Sequence, residues 1–450
     1  MTRPRLALLW HLHQPLYAPR EGAASVLPWV RLHALRGYYD TVRVLDEFPG
    51  ARSTVNLTPI LVEQIAAAAA GRGDRFLEVG ARPAGDLDET QRRFLVDRFF
   101  LAQELHMIRP LRRYGALLEK RAAARRLRGP RDAHREFTAE ELRDLQVLFD
   151  LSWFGFKTRE DFPVLRALAR KGHGFDRLEL DELHAVEREV LKRILPMYRD
   201  AARRGRLEIA TSPYAHPILP LLVDTDAARE AMPHAGLPPR MQATDDARAQ
   251  VEDGLGLIER EIGVRPRGVW PSEGSVSEAV VGLLRDCGVA WVAGDDRVLT
   301  ASGGAASSGA WRIATSPGGP DLVFRDHELS DRISFAYAHR DPAASVADLL
   351  ETARQRTRDG ASFVLVALDG ENPWEHYRRA GASFLRALYG EAGPDGSCDL
   401  VTVSEALAAA PGRATLSRLR AGSWINTDFS TWIGGPEKNR AWALLAGVRA

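Results

Sequence analysis

Short aliphatic or β-branched runs recur along the chain, each broken by a polar loop and followed by a longer stretch with helical spacing. Seven of them read as strands: 5–10 (RLALLW), 52–57 (RSTVNL), 206–211 (RLEIAT), 266–270 (PRGVW), 289–293 (VAWVA), 321–325 (DLVFR) and 362–368 (SFVLVAL). They are brief and almost continuously apolar, as strands covered on both faces should be. Between them apolar residues return at three- and four-residue intervals over 30–47, 59–70, 91–126, 180–204, 243–262, 275–287 and 342–358. Pro196 is expected to kink the fourth of these helices. Alternation of strand and helix predicts parallel βαβ units. Seven strands predict an α/β fold, an incomplete (β/α)7 barrel. The barrel is expected over 1–385, with a helical insertion at about 99–204 and a mainly helical C-terminal region over 386–450. Residues 301–310 (ASGGAASSGA) read as a flexible loop, and the chain stops inside an apparent helix, AWALLAGVRA.

A polar or ionisable group follows every strand. His11, His13 and Gln14 come after the first, and Asn56 ends the second. Ser212, Tyr214 and His216 follow the third, and Glu273 the fourth. Asp295 and Asp296 follow the fifth, Asp326 and His327 the sixth, Asp369 and Glu371 the seventh. One or two such residues are ordinary turn chemistry. A full set is what an α/β barrel needs at the carboxyl ends of its strands, where sites on this architecture are built.

Bulk composition narrows the partners. With 61 Lys+Arg against 60 Asp+Glu over 450 residues, no global field attracts nucleic acid or an anionic membrane. The densest basic run, Lys120 to Arg135, sits among Ala and Leu at helical spacing and reads as a solvated helix face. Two cysteines, Cys287 and Cys398, cannot make a disulfide framework or a four-cysteine zinc site. The first apolar run, Leu6 to Trp10, is too short for a signal-peptide core, and no stretch has the length to span a bilayer. The expectation is a cytoplasmic protein; oligomeric state is not readable.

Two carboxylates stand out. Glu273 lies in GVWPSEGSVS (268–277), where Pro271 stops the strand, Gly274 permits a tight approach and Ser275 or Ser277 can cap the next helix. The plainer role for it is a charge at a helix N-terminus. Asp369 ends the most apolar strand (FVLVALDG), where desolvation would raise its pKa and let it hold a proton; its plainer role is a turn-forming Asp-Gly. Glu371 competes for the acid role and is ranked as substrate contact or support. One carboxylate facing an anomeric carbon and one acid at the leaving oxygen is what glycosidic cleavage requires. Tryptophans recur near these positions, at Trp10, Trp270, Trp374, Trp424 and Trp432, and flat indoles suit the C–H faces of sugars. The segment WINTDFSTW (424–432), with Asn426, Thr427 and Asp428, reads as a cleft rim. Glu208, an acid inside an apolar strand, must be paired or face the barrel mouth.

The ordered motifs resemble family 57 of the glycoside hydrolases, which includes α-amylases, amylopullulanases, 4-α-glucanotransferases and branching enzymes. His13-Gln14-Pro15 within WHLHQPLY matches the first motif and Gly205-Arg206-Leu207-Glu208 the second. Trp270-Pro271-Ser272-Glu273 matches the third, which carries the nucleophile. Leu368-Asp369-Gly370-Glu371-Asn372 matches the fourth, which carries the acid/base. The tryptophan-rich segment 424–432, with Gly434, Pro436 and Asn439 beyond, matches the fifth. VNLTPILVEQ (55–64) and FRDHELSDRISFAYAH (324–339) look most like the amylopullulanase and α-amylase members.

The resemblance implies a retaining enzyme that cleaves α-1,4 bonds in α-glucans, with α-1,6 cleavage left open, with Glu273 as nucleophile, Asp369 as acid/base, and no metal or other cofactor. His11, His13, Gln14, Glu208, His216, Trp270, Asp296, Asp326, Glu371, Trp374, Trp424, Asp428 and Trp432 are the expected substrate contacts. Three alternatives stay open. They are a 4-α-glucanotransferase on the same site, a polysaccharide deacetylase-like enzyme with a metal held by His11, His13, Asp295, Asp296 and Asp369, and a non-catalytic glucan-binding protein.

Overall fold

The computed structural model describes residues 3–449 apart from 21, 306–308, 317, 372 and 394. Ten strands are present among them: β1 Arg5–Leu12, β2 Ser53–Leu57, β3 Leu207–Thr211, β4 Gly268–Val269, β5 Trp291–Asp295, β6 Ala310–Ile313, β7 Asp321–Arg325, β8 Val364–Asp369, β9 Asp399–Val401 and β10 Ala414–Leu416. Seven form a parallel barrel in the order β1-β2-β3-β4-β5-β7-β8, with β8 returning to β1. All seven expected strands are there; 321–325 keeps its bounds and no end of the others moves by more than two residues. The closure is uneven. β1 and β8 share six paired positions, from Leu6↔Val364 to His11↔Asp369, whereas β7 meets β8 only at Arg325↔Leu365. The Asp326 amide adds one bond across that seam, donating to Leu365 O at 2.7 Å.

Side chains alternate across each strand, and here both faces are covered. Leu6, Leu8, Trp10 and Leu12 of β1 pack outward on the helices. Ala7 and Leu9 point inward with Ala210, Ala293, Val323, Leu365 and Ala367 from other strands, so the waist of the barrel is filled with small and medium residues. The same two-residue period carried upward puts His11, Asn56, Ser212, Trp270, Asp295, Arg325 and Asp369 inside at the carboxyl end. The mouth is a ring of polar and aromatic groups on an apolar plug.

β4 is short because Pro271 cannot extend it. Gly268 has a second constraint. A Cβ built there would stand 1.9 Å from the Trp291 indole, which passes over β4 to donate from Nε1 to Glu208 Oε1 at 2.9 Å.

Between β2 and β3 the chain builds the helical insertion, with helices Arg112–Arg128, Ala139–Trp153, Phe156–Asp161, Pro163–Lys171 and Arg177–Arg203. The last runs through Pro196 as one helix of 27 residues. The helix expected over 91–126 is broken into Glu89–Arg98, a π-turn Glu104–Ile108 and Arg112–Arg128, with Pro110 in the final gap. The basic run lies on a helix face only as far as Arg128, where the helix ends, and continues through a loop and short turn; Lys120, Arg125, Arg128 and Arg135 pair with Glu141, Asp97, Glu136 and Glu89. The helix expected over 30–47 contains a π-turn at Ala34–Tyr38.

The region 386–450 is more mixed than expected. Beside helices Val403–Ala409 and Pro436–Arg449 it holds β9, which pairs with β1, and β10, which pairs with β6. β6 runs antiparallel to β7 outside the barrel. These strands are three or four residues long and too brief to show a period. Of the loop expected at 301–310, residue 301 ends helix Asp296–Ala301 and residue 310 opens β6, while 306–308 lie outside the described residues.

Gly268→Ala is expected to destabilise the protein by up to about 3 kcal/mol, the overpacking range, because the indole cannot move without losing its bond to Glu208. A thermal midpoint equal to the parent's would show that the crossing is loose.

Candidate active site

Each mouth residue is fixed by the element beneath it. Pro271 ends β4 and the chain turns sharply, which leaves Glu273 at φ 56°, ψ 28°. A non-glycine residue in the left-handed region is strained, and such strain gathers at functional positions. The Glu273 carboxylate is mostly buried, and Oε2 accepts a 3.0 Å hydrogen bond from Trp424 Nε1. The Trp424 backbone amide also donates to Glu273 O at 3.1 Å. Burial pushes the Glu273 pKa up, and the indole bond pulls against it.

Trp424 is itself held from three sides. Arg297 Nη2 donates to its carbonyl, its ring lies 5.2 Å from Trp270, and the Arg325 guanidinium sits 4.9 Å from its ring centroid. Arg325 donates to Asp295 Oδ2 at 2.8 Å and to Ala367 O of β8 at 3.2 Å. Asp295 is thus consumed by Arg325 and Arg297, whose charges hold its carboxyl below the usual range against the effect of burial.

Three histidines face this pair. His13 and His216 stack at 3.9 Å, and His11 lies 5.3 Å from His216. Asn56 Nδ2 stands 2.8 Å from His11 Nδ1 and donates to Ser212 Oγ at 3.0 Å. With Nδ1 as acceptor, the His11 proton is on Nε2. Burial lowers all three pKa values, that of His13 to about 4, so the trio is neutral near pH 7. His216 has φ 60°, its side chain is 4% exposed, and both ring nitrogens lack a protein partner. Its Nε2 stands 3.9 Å from Glu273 Oε1, beyond hydrogen-bond distance. A buried ring with two open nitrogens beside a carboxylate is suited to hydroxyl groups of a ligand.

Asp369 lies directly beside His11 in the β1–β8 register. Behind it Glu371 is buried, and its Oε1 accepts from the His13 amide at 2.8 Å and from Tyr38 Oη at 2.7 Å. Burial first, and the Asp369 charge second, push the Glu371 pKa up to about 8. Glu371 therefore keeps its proton at neutral pH. Asn372 of the fourth motif lies outside the described residues.

The expected residues divide. His11, His13, His216, Trp270, Glu273, Glu371 and Trp424 share one cluster, with Asp369 next to His11. Asp296 stands at the rim, where it accepts from the His327 amide at 3.1 Å, and burial raises its pKa to about 6. Gln14 sits beside the cluster, its Oε1 accepting from Tyr17 Oη.

Glu208 is placed elsewhere. It shares the inward face with Ser212 but lies four residues lower, roughly 13 Å along the strand. There its oxygens are taken by Trp291, Ser404 and Thr54 at the amino end of the barrel. Asp326 faces outward, caps Leu329 N and pairs with Arg356 at 2.8 Å. Trp374 is buried against Trp10, Tyr377 and Phe384. Asp428 closes on its own turn through Ser430, and Trp432 packs with Ile218, Leu221 and Phe429.

Sequence reading missed Arg325 and Tyr38. An arginine closing an apolar strand was a usable signal for the first. The second depends on the π-turn, which leaves no mark in the pattern. Among the described residues Asp150, His184 and Glu187 have the spacing of metal ligands, but Arg31 fills their centre, with Nη1 2.9 Å from Asp150 and 3.0 Å from Glu187.

The profile of glycosyl hydrolase family 57 matches residues 7–418. The chain belongs to glycosyl hydrolase family 57. It is accordingly an enzyme of the glycoside hydrolase type. No curated protein matches the sequence. Among solved structures the fold is similar to a family 57-type branching enzyme from Pyrococcus horikoshii, with TM-score 0.58 and 15% identity, over 98% of this chain and 77% of that one. It is similar too to the α-amylase AmyC from Thermotoga maritima, with TM-score 0.58 and 15% identity, over 95% and 79%. A 4-α-glucanotransferase from Thermococcus litoralis aligns with TM-score 0.53 and 16% identity, over 96% of this chain and 44% of that one. No helix among the described residues is long and apolar enough to cross a membrane.

Glu371 gives a pH test. Its carboxyl releases its proton near 4.5 when unfolded and about 8 when folded. The folded state binds the extra proton between those values, so this contribution is whole below 4.5 and is lost as pH rises through 8. The thermal midpoint of the parent relative to Glu371→Gln is expected to fall between about pH 5 and pH 8. A gap independent of pH would mean that Glu371 is ionised throughout.

Proposed function

We propose that this family 57 enzyme hydrolyses α-1,4 bonds in α-glucans such as starch, glycogen or maltooligosaccharides, with retention of configuration. The observation that carries the reading is the Glu273 carboxylate, oriented by the Trp424 indole and faced by the open nitrogens of His216. Glu273 is the nucleophile and Asp369 the acid/base. β4 and β8 are separated by β3, β2 and β1 on one side and by β5 and β7 on the other. Groups at their carboxyl ends therefore approach a sugar from opposite sides of the mouth, as two carboxyl groups with different tasks must.

Asp369 protonates the departing oxygen while Glu273 attacks the anomeric carbon. It then takes a proton from water as the glycosyl-enzyme is cleaved. Glu371 stays protonated when Asp369 is ionised, so the Asp369 carboxylate formed by proton transfer meets no second negative charge behind it. The neutral histidines donate and accept with sugar hydroxyls, and Trp424, backed by the buried Trp270, offers an apolar face. The wild-type chain, given soluble starch, should release short maltooligosaccharides with a net gain of reducing ends. Redistribution of chain lengths with no gain would assign the site to glucan transfer.

Glu273→Ala is expected to lower turnover by on the order of 10³-fold or more, with azide restoring activity through a glycosyl azide of inverted configuration. Asp369→Ala should retain more activity on substrates whose leaving groups need no proton. Wild-type rates for Glu273→Ala on starch would remove the assignment.

Trp424→Phe tests the indole bond. That bond favours the carboxylate, so its loss should move the acidic limb of kcat/KM to higher pH. An unmoved limb would mean that the titration belongs to another group.

A further inference from the structure

A cavity of about 720 Å³ lies where the helical insertion meets the segment after β8. Its walls carry Arg36, His106, Arg159, Arg166, Arg378 and Arg379. Among the described residues, none of these five arginines has a carboxylate within 4.0 Å. The one acid in the lining, Glu160, is already bound to Lys157 and Arg386. Elsewhere on the insertion, arginines such as Arg125, Arg128 and Arg135 each meet an acid.

Arg36 is buried at 4% exposure. Its Nη2 donates to Trp374 O at 2.9 Å, and its Nε has no partner. Burial, and then Arg36, lower the Arg159 pKa to about 10. Burial, and then His339, Arg378, His376 and Arg36, lower that of His106. Asp40 and Glu375 act on Arg36, and Asp40 on Arg159, only from beyond ion-pair distance. Positive charge so incompletely compensated in a partly buried space is costly, and guanidinium groups fit phosphate oxygens in pairs.

A second observation concerns the backbone at the cavity wall. Arg379, Ala380 and Gly381 follow one another at φ 51°, 54° and 76°. Consecutive left-handed residues, two of them not glycine, are strained and persist only where the surrounding structure holds them. Phe154 and Phe156 add apolar wall, and the volume suits a hexose-sized molecule.

We propose that this cavity binds a phosphate group, free or as the monoester of a hexose-sized metabolite, through Arg36, Arg378 and Arg379. The site is separate from the glycan cleft but not remote from it. Arg36 holds the Trp374 carbonyl, and a Cβ at Gly37 would stand 3.0 Å from Gly370 O. A ligand here fastens the segment between Asp369 and Gly381.

The test is calorimetric titration of the full chain with inorganic phosphate and with glucose 6-phosphate, in phosphate-free buffer at constant ionic strength. Saturable binding is expected, weakened at least about tenfold in Arg378→Ala/Arg379→Ala. Both side chains are exposed, so the unliganded thermal midpoint of this variant should match the parent's; Arg378→Ala alone serves as a second variant. Deuterium uptake over 373–381 should slow on binding. Tighter binding of glucose 6-phosphate marks the monoester as ligand, and equal or weaker binding marks free phosphate. The proposal is overturned if neither ligand gives saturable heat up to about 10 mM, if the variants bind undiminished, or if protection falls elsewhere.

Discussion

One buried guanidinium ties together the parts on which the mouth depends. Arg325 stands where β7 and β8 share a single backbone pair, and its side chain crosses that seam to Ala367 O. It also neutralises Asp295 of β5 and lies against the ring of Trp424, which orients the Glu273 carboxylate. Barrel closure, the charge state of the mouth and the direction of the carboxylate therefore share one residue. A lysine could not reproduce this, because the flat fork bonds to an acid and a carbonyl while its face meets an indole. Loss of Arg325 would leave Asp295 buried with one cation fewer, the more damaging way to break such a pair.

How much of this was legible in the sequence follows from period and range. The seven barrel strands were readable because each is an apolar run bounded by polar loops, and both faces are covered. The polar groups after the strands were readable too, and strand parity says which face each occupies: His11, Asn56, Ser212, Asp295 and Asp369 all fall inside. Parity does not give height along the strand. Glu208 lies on the correct face and at the wrong end, which depends on where Ser404 arrives from almost two hundred residues away. Asp326 failed by parity itself, since Arg325 takes the inward position. Trp374 is the opposite case, a tryptophan close in sequence to Asp369 whose ring turns into the core.

The electrostatics of the mouth come from exclusion of water more than from ion pairs. His11, His13 and His216 are buried together and lose their protons, while Glu371 is buried beside an acid and keeps its own. On their histidine side Glu273 and Asp369 are therefore faced by neutral donors and acceptors, while the charges of Arg325, Arg297 and Asp295 are paired with one another. Charge that develops on a bound ligand is felt strongly in such surroundings.

The left-handed backbone at Glu273 has a thermodynamic side. An L-residue with a long side chain is disfavoured there by roughly 1–2 kcal/mol, whereas glycine adopts the conformation freely. On folding energy alone the position favours glycine or asparagine. The glutamate is thus a local loss of stability held in place by the rest of the structure. The protein is in this sense tuned against its own melting point at the very residue assigned the chemistry, and its most stable form would be one that no longer performs it.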